Sequence, residues 1–116
     1  MNKYKNQKTI IDNIQFDSKL EAKKYAELKL LERAKEIKDL RRQVKFELQP
    51  KFIKNNKTIR AINYIADFVY YDIRKCKTII IDTKGYKTES YKLKKKMFEY
   101  KYPDLEIKEI RKGDIR

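Results

Sequence analysis

A chain of 116 residues without repeats or Pro- and Gly-rich linkers has the size of one domain, so residues 1–116 are treated as a single domain. Its one cysteine excludes an intrachain disulfide, and the lack of histidine excludes His-based catalysis and zinc sites with His ligands. The formal net charge of +14 favours a nucleic-acid partner, although a solubilising lysine surface or AT-rich codon usage would produce the same excess.

The sequence also bears on compartment and cofactors. No apolar run is long enough to cross a bilayer, and no apolar signal-peptide core follows the basic start of the chain. We therefore expect no membrane partner and, given the single cysteine, a location in a reducing cytoplasm. No glycine-rich phosphate loop is present, so no small-molecule cofactor is expected.

The N-terminal third of the chain predicts a ribbon followed by a helix. Residues 8–16 are expected to form two short strands, with an Asp-Asn pair as their turn. Ser18 and Glu21 have the spacing of a capping box, which places the start of a helix near Ser18. The Ala, Leu, Glu and Lys content of the next residues carries that helix to about Ala34.

The rest of the chain predicts several strands and one more helix. Stretches rich in β-branched and aromatic residues predict strands at 43–49, 51–54, 77–83 and 105–110, and one or two strands within 58–71. An Asn-Asn turn follows residue 54, and the most apolar stretch, 77–83, is expected at the sheet centre and ends at Gly85. A second helix is predicted over about 88–101, closed by Pro103. This order predicts an α/β fold with one central mixed sheet flanked by helices.

Two aspartates lie inside apolar strands, where this residue type is disfavoured. If Arg74 and Lys75 form a two-residue turn, Asp67 falls opposite Asp82 on the same sheet face, with their Cβ atoms roughly 5 Å apart. The strand period of two puts Lys84 on that face as well. A one-residue slip would separate the two carboxylates, so the prediction depends on the turn.

Two carboxylates beside a lysine suit metal-dependent phosphodiester hydrolysis. Mg²⁺ binds oxygen ligands, often one or two carboxylates with water and a substrate phosphate, and it activates a bound water; Mn²⁺ is an expected substitute. Lys84 would orient or deprotonate that water, or neutralise charge on the phosphate. Two structural alternatives stand beside this reading: Asp82 as a turn residue before Gly85, and Asp67 as an ion-pair partner of Arg60 or Lys84.

A third carboxylate belongs to the predicted first helix. Glu21 lies one turn before Tyr25 and two before Leu28, on the apolar side of that helix. It either closes the capping box with Ser18 or joins the metal site from the helix.

Four segments, in this order, resemble the PD-(D/E)xK phosphodiesterase superfamily, and more closely a family of small phage and prophage proteins within it. They are Phe16-Asp17-Ser18-Lys19-Leu20-Glu21-Ala22, Leu48-Gln49-Pro50-Lys51-Phe52, Tyr64-Ile65-Ala66-Asp67-Phe68 and Asp82-Thr83-Lys84-Gly85. Together they span nearly the whole chain. Ala66 stands where the superfamily's name has Pro, and Asp82 stands where Glu is more frequent.

The resemblance implies a restriction-endonuclease-like core, as in Holliday-junction resolvases, and the use of Mg²⁺. It implies Glu21, Asp67 and Asp82 as catalytic metal ligands, with the Thr83 carbonyl as a further candidate ligand. Lys84 matches the catalytic lysine. It also implies a phage- or prophage-encoded protein that acts in the cytoplasm of a bacterial host cell.

A basic helix after these motifs is the predicted DNA-binding surface. Leu93, Met97 and Tyr100 have helical spacing and are expected to pack on the sheet. Lysines on the flanks of that stripe would hold phosphates, with Arg41 and Arg42 as weaker candidates. The predicted DNA-binding residues are Arg60, Lys87, Lys92, Lys94, Lys95 and Lys96. A solvated lysine face is the plain alternative.

The leading functional hypothesis is a Mg²⁺-dependent DNA endonuclease that acts on branched or duplex DNA, with Holliday junctions as a candidate substrate. It would act in recombination, repair or packaging, and a junction cutter is expected to be a homodimer. The second hypothesis is a non-catalytic nucleic-acid-binding protein on the same fold, and the third is a structural protein of the phage particle. Metal-dependent cleavage separates the first from the others, and salt-sensitive binding separates the second from the third.

Overall fold

Two helices and a set of strands alternate along residues 9–83 and 88–111, the part of the chain that the computed structural model describes. In chain order the elements are β1 (Thr9–Ile11), β2 (Ile14–Phe16), α1 (Lys19–Arg33), β3 (Ile37–Gln49), β4 (Phe52–Lys54), β5 (Lys57–Ile59), β6 (Ile62–Asp72), β7 (Lys77–Asp82), α2 (Glu89–Lys101) and β8 (Ile107–Glu109). The central sheet has the order β3-β6-β7-β8, with β7 and β8 parallel and the other pairs antiparallel. The predicted α/β class with a central mixed sheet is confirmed.

The two small hairpins, β1-β2 and β4-β5, turn on pairs of residues with left-handed backbone. The φ angles are 52° and 64° at Asp12 and Asn13, and 51° and 62° at Asn55 and Asn56. Two-residue hairpin turns need positive φ at both central positions, and Asn and Asp tolerate it best among residues other than glycine. Both predicted turns are therefore confirmed, and so is the ribbon within residues 8–16.

Helix α1 begins and ends where the sequence predicts. The side chain of Ser18 caps it by accepting a hydrogen bond from the Glu21 N–H at 3.1 Å, and Ala34 forms its C-cap. Its buried face carries Tyr25 and Leu28, which point to the sheet. No helix in the described ranges is long and apolar enough to cross a membrane.

The two helices cover opposite faces of the sheet. Ile80 and Ile81 are neighbours on β7, and their side chains enter different core clusters because successive strand residues point to opposite faces. Ile81 packs with Phe68 and helix α1, whereas Ile80 packs with Val69 and Phe98 of α2. The central sheet is thus flanked by helices, as predicted.

Strand β3 begins at Ile37, earlier than the predicted start at residue 43. Its first half is mostly charged, so no apolar alternation marks it as a strand. Pairing with β6 shifts register between Lys38 and Arg41, where Asp39 has a φ of 57°. Such a bulge breaks the period of two on which the sequence interpretation depends.

The predicted packing stripe of α2 is wrong at two of its three positions. Leu93 is 59% exposed and Tyr100 is 90% exposed, whereas Met97 is partly buried against the core. The buried residues are Tyr91 and Phe98, whose larger aromatic surfaces set the rotation of the helix. The predicted helix span and the final strand within 105–110 agree with the structure.

Candidate active site

Strands β6 and β7 pair in the register that the sequence predicts, with Phe68 opposite Ile81. The connection is a four-residue turn over 73–76, however, and not the two-residue turn expected at Arg74 and Lys75. The longer loop adds one residue on each side and therefore leaves the register unchanged. The described pairing stops at Phe68 and Ile81, so Asp67 and Asp82 come directly after the last paired residues.

Asp67 sits where the two strands separate. Its Oδ2 accepts hydrogen bonds from the Thr83 N–H and the Thr83 hydroxyl, each at 2.8 Å. The carboxylate thus takes the place that a main-chain carbonyl would hold if pairing continued. The side chains of both residues are buried, and bonds of this charge-assisted kind are strong. The sheet therefore opens around a fixed carboxylate, and we call this opening the fork.

Gln43 links this carboxylate to helix α1. Its amide Nε2 donates to Glu21 Oε2 at 3.1 Å and lies 3.5 Å from Asp67 Oδ1. Gln43 has a φ of 51°, which is uncommon for a residue other than glycine and persists only where the surrounding structure enforces it. One exposed amide thereby lies between two buried carboxylates that come from different elements.

Glu21 has the main-chain bond of a capping box, and its role as a metal ligand stays a prediction. Its main-chain N–H is capped by Ser18, while its carboxylate Oε2 is turned to Gln43 and to the Arg42 guanidinium at 3.7 Å. The guanidinium also lies over the Phe16 ring, 4.7 Å from its centre. Arg42 was a weak candidate for phosphate contact, but the structure pairs it with this nearly buried carboxylate, which a nearby cation stabilises.

Asp82 is 1% exposed and is held by a tyrosine. The Tyr64 hydroxyl donates to Asp82 Oδ2 at 2.8 Å. Burial raises the pKa of Tyr64 above its ordinary value, and the negative charge of Asp82 raises it further, with a smaller effect from Asp67. Tyr64 therefore remains a hydrogen-bond donor across the neutral range, and both aspartates act electrostatically on this one phenol.

A second acidic position lies beside Asp82 on the parallel strand. Glu109 is the register partner of Asp82, and its Oε2 accepts from the Tyr91 hydroxyl at 2.7 Å. Burial raises the pKa of Tyr91, and its bond to Glu109 and the charge of Asp82 add to the effect. Lys95 lies 3.3 Å from Glu109 Oε2, so this predicted DNA-binding residue belongs to an ion pair at the sheet edge.

The other predicted DNA-binding residues differ in their surroundings. Lys92 and Lys96 are exposed on α2, Lys94 is partly buried, and Lys92 lies 3.5 Å from Glu89. Arg60 is exposed after β5 and, among the described residues, is not paired with Asp67. Lys84 and Lys87 lie outside the described residues.

The predicted metal ligands lie at the fork, but the described side chains do not form a closed metal site. Within 9–83 and 88–111, no three acidic, cysteine or histidine side chains are close enough together to hold one ion. The Gln43 Nε2 atom lies between the carboxylates of Glu21 and Asp67. A cation would also be favoured at this position, between two negative charges. Thr83 contacts Asp67 through its N–H and hydroxyl, and the role of its carbonyl stays a prediction.

Sequence reasoning did not find the contacts of Gln43, Tyr64 or Glu109, nor the pairing of Arg42 with Glu21. Tyr64 stands three residues before Asp67 in the sequence, but this spacing does not indicate that its hydroxyl contacts Asp82 on the neighbouring strand. The positive φ of Gln43 has no sequence signature at all. Each of these contacts joins residues far apart in the chain, which only the folded sheet brings together.

These features define a basic α/β protein with a group of buried carboxylates where its central sheet opens. The chain belongs to the family described as "Protein of unknown function (DUF1064)", whose profile matches residues 1–114. No curated protein and no solved structure shows a significant match to the chain.

Proposed function

We propose that this protein is a Mg²⁺-dependent DNA endonuclease of the PD-(D/E)xK type on a restriction-endonuclease-like core. The observation that carries the proposal is the presence of three buried carboxylates, one each from α1, β6 and β7, next to the point where β6 and β7 separate. Glu21, Asp67 and Asp82 are 6%, 9% and 1% exposed. Buried carboxylates are costly unless they are paired or hold a cation, so their concentration at one place favours a function there.

The donor set suits a hard divalent cation. Carboxylate oxygens are the ligands that Mg²⁺ and Mn²⁺ prefer, with water and a phosphate completing the coordination. Asp67 and Asp82 would hold the ion, with Glu21 and the Thr83 carbonyl as further ligands, and the exposed Gln43 amide would give up its place between Glu21 and Asp67. When bound, the ion would supply an activated water and stabilise charge on the scissile phosphate.

The chain's own residues would fix the geometry for this reaction. Tyr64 holds the Asp82 carboxylate in one orientation, and Thr83 does the same for Asp67. Lys84, two residues after Asp82 in the sequence, is proposed to orient the attacking water or to neutralise charge on the phosphate. Branched DNA, including Holliday junctions, is the proposed substrate, cut by a homodimer during recombination, repair or packaging.

A non-catalytic nucleic-acid-binding protein on the same fold is the second candidate. It is favoured by the fact that each of the three carboxylates already accepts a hydrogen bond or faces a cation within the protein. In that case the network would stabilise the fork, and the basic surface alone would contact the ligand.

Cleavage assays separate the two candidates. Purified protein would be incubated with plasmid, a four-way DNA junction and a structured RNA, in Mg²⁺, Mn²⁺ or EDTA. We expect metal-dependent cleavage of DNA that falls by about 10²-fold or more in Asp82→Asn and Lys84→Met, while binding persists. Asp104→Asn, which neutralises an exposed carboxylate, is the matched control and should cut like the parent.

Three results would contradict the proposal. Cleavage that continues in EDTA would remove the metal from the reaction, and undiminished cleavage by Asp82→Asn would remove that carboxylate. Tight, salt-sensitive binding without cleavage of any substrate would establish the second candidate instead.

A further inference from the structure

A protruding hairpin lies outside the proposed active site. We call residues 50–60 the basic hairpin; it contains β4, the Asn55-Asn56 turn and β5, which form a two-stranded sheet of their own. Every residue from 50 to 60 is exposed. The segment therefore contributes little to the core and leaves both of its faces open to a partner.

The charge of the basic hairpin has one sign. It contains four cationic residues and no carboxylate, namely Lys51, Lys54, Lys57 and Arg60. None of the four is ion-paired to another residue within 9–83 and 88–111. Lys54 and Lys57 are also direct register partners across the two strands, an arrangement of like charges that destabilises a hairpin. A polyanion between or beside them would relieve that repulsion.

Apolar residues accompany these cations. Phe52 is 42% exposed, Ile59 is 38% exposed, and the two are register partners. Because side chains two residues apart share a face, this pair lies on the same face as Lys54 and Lys57. The face thus has an apolar pair near its base and two cations near its tip, a combination that fits the sugar edges and phosphates of a nucleic-acid groove.

The basic hairpin extends the strand that carries the proposed site. It leads into β6 at Ile62, and the stretch of β6 from Ile62 to Asp67 covers roughly 17 Å at the usual rise of a strand. Lys57, in the pair at the hairpin tip, is five residues farther from Asp67, so in an extended chain it lies up to roughly 33 Å away, about one helical repeat of B-DNA. A two-stranded ribbon also has the width that the major groove admits.

We propose that the basic hairpin enters the major groove of bound duplex DNA and contacts phosphates there. This inference rests on the proposed function only in taking nucleic acid as the ligand. Charge disfavours a second copy of this basic chain, since two copies would bring like-charged hairpins together. The fit of a two-stranded ribbon to the major groove favours duplex DNA over an acidic protein.

Binding measurements in EDTA test the proposal independently of cleavage. Fluorescence anisotropy would give Kd for a labelled 20-base-pair duplex over a series of salt concentrations. We expect Lys54→Gln/Lys57→Gln to weaken binding and to make the slope of log K against log salt shallower by about 1.8, since each lost phosphate contact changes it by about 0.9. Lys54→Arg/Lys57→Arg should restore both.

The matched control removes the same charge elsewhere. Lys23→Gln/Lys75→Gln alters two exposed lysines outside the basic hairpin, and it should leave the slope within about 0.5 of the parent value. Equal losses in both double variants would overturn the proposal in favour of a diffuse charge effect. Equal affinity of the protein for poly-glutamate and for the duplex would overturn the proposal in favour of an acidic protein partner. A dimer seen by sedimentation for the parent but not for Lys54→Gln/Lys57→Gln would overturn it in favour of a second copy of the chain.

The outcomes also separate this inference from the proposed function. Hairpin-dependent binding without cleavage of any substrate would leave the inference standing and reject the nuclease. Metal-dependent cleavage with unchanged duplex binding by Lys54→Gln/Lys57→Gln would keep the nuclease and reject the hairpin's role.

Discussion

The Tyr64–Asp82 hydrogen bond offers the sharpest measurement of how the fork is held together. Tyr64 and Asp82 are 3% and 1% exposed, and the hydroxyl donates at 2.8 Å. Tyr64→Phe keeps the ring and its packing but leaves a buried carboxylate with one donor fewer. A hydrogen bond to a charged group contributes about 1.5–3 kcal/mol, so we expect a loss of this size in the free energy of unfolding.

Urea unfolding followed by far-UV circular dichroism would measure the loss. Tyr100→Phe is the matched control, because Tyr100 is 90% exposed and the same hydroxyl removal should change stability by less than about 0.5 kcal/mol. Metal-dependent cleavage by Tyr64→Phe should also fall, since Asp82 would lose its fixed orientation. If Tyr64→Phe and Tyr100→Phe unfold at the same urea concentration, the carboxylate is not held as the structure indicates.

Three further predictions follow from the same geometry. Because the pKa of Tyr64 is raised in the folded chain, above pH about 10 only the unfolded chain releases this proton. The free energy of unfolding should therefore fall by roughly 1.4 kcal/mol for each pH unit above about 10. Urea titrations at several pH values should show that Tyr64→Phe lacks this component. Mg²⁺ at roughly 100 times its Kd should stabilise the parent by about 2.7 kcal/mol in thermal unfolding, and an equal gain in Asp67→Asn would contradict the metal site. Ser18→Ala should cost about 1 kcal/mol through loss of the α1 cap, and no change in urea midpoint would contradict that role.

Much of the fold follows from local sequence signals. Asn and Asp pairs mark the two small turns because few other residues tolerate positive φ. The register of β6 and β7 was predicted from a two-residue turn, and it agrees because the observed four-residue turn adds one residue on each side. That register also predicts Asp67 and Asp82 on one face of the sheet, and this is wrong for their bonded partners. Asp82 accepts from Tyr64 in the core cluster on the α2 side, whereas Asp67 shares Gln43 with Glu21 of α1 on the other side.

The remaining features depend on contacts between distant segments. The rotation of α2 was predicted from Leu93 and Tyr100, but the aromatic packing of Phe98 on Phe46 and Tyr64, at ring distances of 5.1 and 5.5 Å, determines it. The charged first half of β3 forms a strand only because β6 supplies hydrogen-bond partners along it. Gln43 lies between two carboxylates because of a backbone angle that no residue pattern indicates.

The two carboxylate oxygens of Asp67 make different contacts. Oδ2 accepts the hydrogen bond of a main-chain N–H. Its loss would leave the buried Thr83 N–H without this acceptor, at a cost of about 1–3 kcal/mol. Among the residues that the structure describes, Oδ1 has only the long 3.5 Å contact with Gln43, so it is the oxygen that an ion could bind without breaking the bonds to Thr83. The same side chain can thus keep the strands apart and serve a ligand at once, and a substitution there disturbs both.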